Sequence, residues 1–187
     1  HDITGAVLRY RLPRGRHEVP HHDAQSALKY IREHAQRLNL DPNKVGVMGF
    51  SAGGHLASTL ATHATTDALR PDFTILIYPV ITMQKHTHTG SKRNLLGANP
   101  SDELVKRFSN ELRVTSRTPP TFLAHAVDDK PVSPINSELF HQACKKHTVP
   151  SIYLELPDGG HGLNGYQGAS WEKWQQESLQ WILKLTK

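Results

Sequence analysis

One cysteine, Cys144, stands in the whole chain, so no internal disulfide can staple it. No apolar run approaches the roughly 20 residues needed to cross a bilayer, so no membrane span is expected. Internal repeats, low-complexity tracts and linker-like stretches are missing too. Residues 1–187 are therefore expected to form one compact domain, an ordinary length for a single unit. The basic residues, among them Arg9, Arg11, Arg14, Arg16, Lys145 and Lys146, are scattered and lack interleaved aromatics. A net charge of +5 then reads as a solvated surface, and no nucleic acid is expected as partner. The thirteen histidines raise the question of a metal. His21-His22 and the His86/His88 pair come with no HExxH, paired cysteines or carboxylate cluster. They read as surface loop histidines, and no metal or cofactor is expected.

What the chain does carry is Gly49-Phe50-Ser51-Ala52-Gly53, set between an apolar, strand-like run at 44–49 and a helix-forming stretch. Five residues alone are a weak signal; the flanking strand and helix make them a nucleophile elbow. Such a turn strains the serine backbone, and Gly49 and Gly53 are expected to remove side chains where strand and helix come closest. The helix would aim its N-terminal N–H groups and positive dipole end at charge developing beside Ser51. A serine needs a base, and in this layout the acid and then the histidine follow downstream. The run 121–126 ends in Val127-Asp128-Asp129-Lys130, which offers two carboxylates beyond a strand end. The run 151–156 leads into Pro157-Asp158-Gly159-Gly160-His161-Gly162, a loop that can swing an imidazole over the same rim. His55 is a poor base because its helix would have to hold the ring in the oxyanion corner. His125 reads as structural, shaping the turn that presents the acid.

Strand and helix alternate along the chain, which argues a mostly parallel sheet between helical layers, an α/β class. Strands are predicted at 5–10, 44–49, 73–78, 121–126 and 151–156, and helices at 21–38, 52–63, 101–108, 134–147 and 169–185. In the last helix Trp171, Trp174, Leu179, Ile182 and Leu185 fall mostly on one face and read as core. Residues 80–100 are the one long stretch read as irregular.

Tyr10-Arg11-Leu12-Pro13, Asp23-Ala24, the run Gly49 to Ala57, Tyr78-Pro79-Val80, Asn94-Leu95-Leu96-Gly97, Pro119-Pro120 with His125 to Asp129, and Gly159 to Gly162 together span nearly the whole chain. In these the sequence resembles the α/β-hydrolase esterases of the BD-FAE and acetyl-xylan-esterase-like group. The resemblance implies a three-layer αβα hydrolase fold and a serine carboxyl-ester hydrolase removing short acyl groups, acetyl above all, from sugars. It implies Ser51 as nucleophile, His161 as base, Asp129 (four residues after the strand-ending His125) as acid, and the Ala52 amide as oxyanion donor. Two other readings share these residues. A peptidase of the prolyl oligopeptidase type has the same triad order, but its propeller domain is not in this sequence. A non-catalytic binding or fragment protein would keep the triad without a working oxyanion hole.

The same resemblance sets a departure. A strand and an HGGG-type loop, donor of a second oxyanion N–H, are expected ahead of residue 1, and nothing in 1–43 resembles them. With His1 as first residue, the reading is of a domain truncated at its N-terminus. Residues 5–10 would then either slide over to pair with 44–49 or pair with another copy, making a homo-oligomer through an exposed sheet edge.

Overall fold

The computed structural model describes residues 3–185; residues 1–2 and 186–187 of the expected domain lie outside them. In chain order the elements are α1 (Glu18–Glu33), α2 (Ala35–Leu38), β1 (Val47–Phe50), α3 (Ser51–Thr62), β2 (Thr74–Ile77), α4 (Thr89–Leu96) and α5 (Asp102–Arg107). They continue with β3 (Thr121–Ala126), α6 (Ile135–Lys146), β4 (Ser151–Leu156), α7 (Leu163–Tyr166) and α8 (Gly168–Leu185). The strands form one parallel sheet in the order β1-β2-β3-β4.

Side chains alternate across each strand, and the two faces bury separate cores. Ile75, Ile77, Phe122 and Ala124 turn to α8, where Trp174 is buried and Trp171 and Trp181 pack against them. Leu76 and Leu123 turn the other way, to Ala57 of α3 and Phe140 and Cys144 of α6. Helices thus cover both faces, the three-layer arrangement expected. Central β2 and β3 are buried along their whole length, which is why 74–77 and 121–126 read as continuous apolar runs and not as alternation.

Three expectations are corrected. Residues 5–10 form no strand: 5–9 are exposed, Val7 at 95%, Tyr10 is half-buried, and none of them slides onto β1 or enters the sheet, which has four strands among the described residues. The chain just after them is held elsewhere. The Arg11 N–H donates to Asp23 Oδ2 at 2.8 Å, its guanidinium grips the same carboxylate on α1, and Gly15 N–H donates to Asn94 O at 2.7 Å. The predicted helix 21–38 is two helices, broken at His34, whose φ of −108° closes α1 before α2 restarts. The stretch 80–100 is not irregular throughout, because α4 fills 89–96; its N-cap is His88, whose Nδ1 accepts from the Ser91 N–H. A histidine cap has none of the usual Ser, Asp or Asn signature, so the helix start was hidden.

Candidate active site

β1 runs straight into α3, and Ser51 at the junction has a φ of 51°, the left-handed region that a side chain enters only under constraint. The constraint is packing. A Cβ on Gly49 would overlap the Gly53 carbonyl, and one on Gly54 would come within 2.6 Å of Pro79 Cβ. Gly53 itself has open space, with only the Tyr10 hydroxyl at 3.9 Å from such a Cβ. The close approach therefore depends on Gly49 and Gly54, not on Gly53 as its place in the motif suggested. The Ser51 carbonyl accepts from Val80 N–H at 3.0 Å and ties the elbow to the chain after β2.

All four strands end at one rim, and the candidate residues meet there. Ser51 Oγ lies 2.9 Å from His161 Nε2, and His161 Nδ1 lies 2.8 Å from Asp129 Oδ2. An Nδ1 facing a carboxylate must carry the proton, so the neutral ring presents a bare Nε2 to the Ser51 hydroxyl. Asp129 is wholly buried at its side chain, while His161 keeps 27% exposure and opens to solvent. Burial pushes the Asp129 carboxyl up, but hydrogen bonds from His125, the Val132 N–H and His161 outweigh it and leave the group below its ordinary range. It stays an anion. Asp128 is exposed and does something else: its Oδ1 accepts the Gly160 N–H at 2.8 Å and steadies the loop that carries His161. That loop turns on Gly159, Gly160 and Gly162, with φ of 118°, 54° and 89°.

The Ala52 N–H lies in the first turn of α3 and has no intrahelical partner. Beside Ala52 opens a cleft of about 130 Å³, walled by Leu56, Met83 and Phe108 and edged by His21 and His55. His55 is not part of the chemistry; its buried Nε2 donates to the Phe108 carbonyl at 2.8 Å. Sequence reasoning passed over Tyr78 and Val132. The Tyr78 ring meets His161 edge-on at 4.9 Å, and Val132 N–H donates to Asp129 Oδ1 at 2.9 Å. Tyr78 has a φ of 37° directly after β2, so a Tyr-Pro step closing a buried strand was the available signal. Burial, with the charges of Tyr166 and Asp129, holds the Tyr78 phenol up to about 12.

A parallel sheet between helical layers, with a strained serine at the first strand's end and acid and imidazole on later loops, defines an α/β-hydrolase. More narrowly, the chain belongs to the BD-FAE family, whose model matches residues 5–144. It is 35% identical, over 95% of its length, to an acetylxylan esterase of Xylanibacter ruminicola, and 40% identical over 157 residues to endo-1,4-beta-xylanase B of Butyrivibrio fibrisolvens. The chain spans only 37% and 25% of those two curated relatives. Among solved structures, an acetyl ester-xyloside bifunctional hydrolase from Caldicellulosiruptor lactoaceticus superposes with a TM-score of 0.89 at 40% identity, covering 95% of this chain and 70% of that one. An α/β hydrolase from a deep-sea metagenome, MGS-M1, gives a TM-score of 0.71 at 26% identity, covering 92% and 66%.

Proposed function

We propose that this chain is one catalytic domain, a serine carboxyl-ester hydrolase acting on short-chain esters, and that its natural substrate is an acetylated xylan or related sugar. The single observation that carries the reading is the relay from Ser51 Oγ through His161 to Asp129, at 2.9 and 2.8 Å on one rim. His161 Nε2 takes the Ser51 proton as Oγ attacks the ester carbonyl, and Asp129 stabilises the imidazolium. The Ala52 N–H receives the oxyanion. The imidazolium returns its proton to the leaving alcohol, and a water activated by His161 then releases the acid from the acyl-serine. The second oxyanion N–H that the family resemblance implies is supplied by none of these groups.

An assignment of the two ends of the ester is part of the same proposal. The leaving oxygen must lie within reach of His161, so the alcohol sits on the solvent side of the site. The acyl group takes the remaining direction, over Ala52, into the cleft walled by Leu56, Met83 and Phe108. About 130 Å³ accommodates only a few carbon atoms. The relatives' names, acetylxylan esterase and acetyl ester-xyloside hydrolase, support acetyl as the acyl group and xylan as the alcohol.

An organophosphonate probe should add once, at Ser51, and Ser51→Ala should abolish labelling. Mass spectrometry that located the adduct on another serine would remove the assignment. Among aryl esters, acetate to butyrate should be cleaved fastest and long fatty esters scarcely at all. A rate that rises with chain length would mean a lipase, and no turnover despite labelling would favour the non-catalytic reading. We further propose that β1, unpaired on one side among the described residues, associates with a second copy.

A further inference from the structure

His125 is fully buried at the end of β3, and its ring makes contacts on both nitrogens. Nε2 lies 3.1 Å from Asp129 Oδ2 and 2.9 Å from the Val132 carbonyl. Both neighbours are acceptors, so Nε2 carries a proton whatever the charge of the ring. Nδ1 lies 2.8 Å from Ser137 Oγ on α6, a hydroxyl able to donate to it or accept from it. The Asp129 oxygen that receives His161 Nδ1–H is therefore the same oxygen that receives His125 Nε2–H. Two imidazoles share one carboxylate oxygen, and Val132 N–H occupies the other.

Charge that Oδ2 gives to His125 is not available to His161. A carboxylate without the second donor would bind the His161 imidazolium more strongly and make that ring more basic. We propose that His125 is a positioning residue that fixes the Asp129 carboxylate and, through it, lowers the basicity of His161. This rests on the triad reading of the preceding section. It goes beyond a structural role for His125, because it assigns the residue an effect on when the base is free of its proton. Among the described residues, Tyr78 meets the His161 ring, Tyr166 acts on Tyr78, and Asp128 stands beside the acid. Tyr78 is held up to about 12 and stays neutral, and Asp128 is engaged by the Gly160 N–H.

Two amide variants separate positioning from packing. The nitrogen of glutamine reaches the place of Nε2, so His125→Gln keeps a donor on Asp129. The amide of asparagine reaches only the place of Nδ1, so His125→Asn keeps the Ser137 contact and drops the one to Asp129. The measurement is the pH profile of kcat/KM on an aryl acetate. His125→Gln should keep the wild-type acid limb. His125→Asn should move it upward by about half a pH unit or more and lower kcat about tenfold. If both variants fold and keep the wild-type limb, the proposal is overturned. A limb shifted equally by both would overturn it too, since packing alone would then be responsible. Asp129→Asn, run alongside, keeps the premises apart: little loss there would sink the triad reading itself.

Discussion

Asp128 and Asp129 are adjacent and chemically identical, yet the fold gives them different work. Asp129 holds His161 in one tautomer, so Asp129→Asn should cost about 10⁴-fold in turnover by presenting a donor where the ring needs an acceptor. Among the described residues Asp128 holds the Gly160 N–H alone, so Asp128→Asn should cost within about tenfold. Steady-state kinetics on one aryl acetate ranks the two, and the reverse order would move the acid to Asp128. Ser51 and His161 were legible in the sequence because backbone demands mark them: glycines at the elbow and glycines around the loop. The acid was not resolved to one residue by its own neighbourhood. Which of two neighbouring carboxylates faces inward depends on the turn from Val127 to Val132, closed by Val132 N–H on Asp129 Oδ1. The family spacing selected Asp129, the carboxylate whose Oδ2 lies 2.8 Å from His161 Nδ1.

At the scale of elements, α1, α3 and the chain around Phe108 meet through histidines kept without charge. Burial pushes His21 and His55 from the ordinary value of 6.5 down to about 4, and lowers His63 as well. His21 Nε2 has no hydrogen-bond partner among the described residues, and its ring meets His63 at 5.9 Å. Between pH 6.5 and about 4 the unfolded chain binds protons that these two rings refuse in the fold. Stability therefore falls as pH falls through that window and levels off below it, by on the order of 3 kcal/mol per ring. Urea unfolding followed across the window should show the midpoint dropping steadily towards acid; a flat midpoint would mean that the rings are not buried uncharged. From the sequence, His21 reads as a surface loop histidine and His55 as packing or capping locally. His55 does pack locally, but His21 is buried, because amphipathic periodicity does not distinguish a polar ring lining a cleft from one facing solvent. The strands were legible because β2 to β4 are apolar or β-branched runs between breakers. Residues 5–10 have the same character and form no strand, since a strand is defined by a neighbour and not by its own propensity.

At the scale of the whole molecule, one side of β1 has no paired strand among the described residues. Met48 and Phe50 on this strand are 45% and 37% exposed, and a groove beside Met48 runs along α8 past Trp174 and Ser178 and is lined also by Ile3 and Thr4. Unpaired strand groups next to exposed apolar side chains form a template for another strand, and no proline or charge within Val47–Phe50 blunts it. If the proposed association occurs, the exposed chain at 5–9 is the segment that would add to β1 of a second copy. The protein should therefore run larger than 20.9 kDa in light scattering at high concentration and dissociate on dilution. Met48→Lys puts a charge on that edge without touching the triad. It should shift the equilibrium to monomer while an organophosphonate still labels Ser51. Deleting residues 3–9 should have the same effect if that segment is the added strand, and none if two β1 edges pair directly. A wild-type protein that stays monomeric at every concentration would show that the edge is covered in some other way.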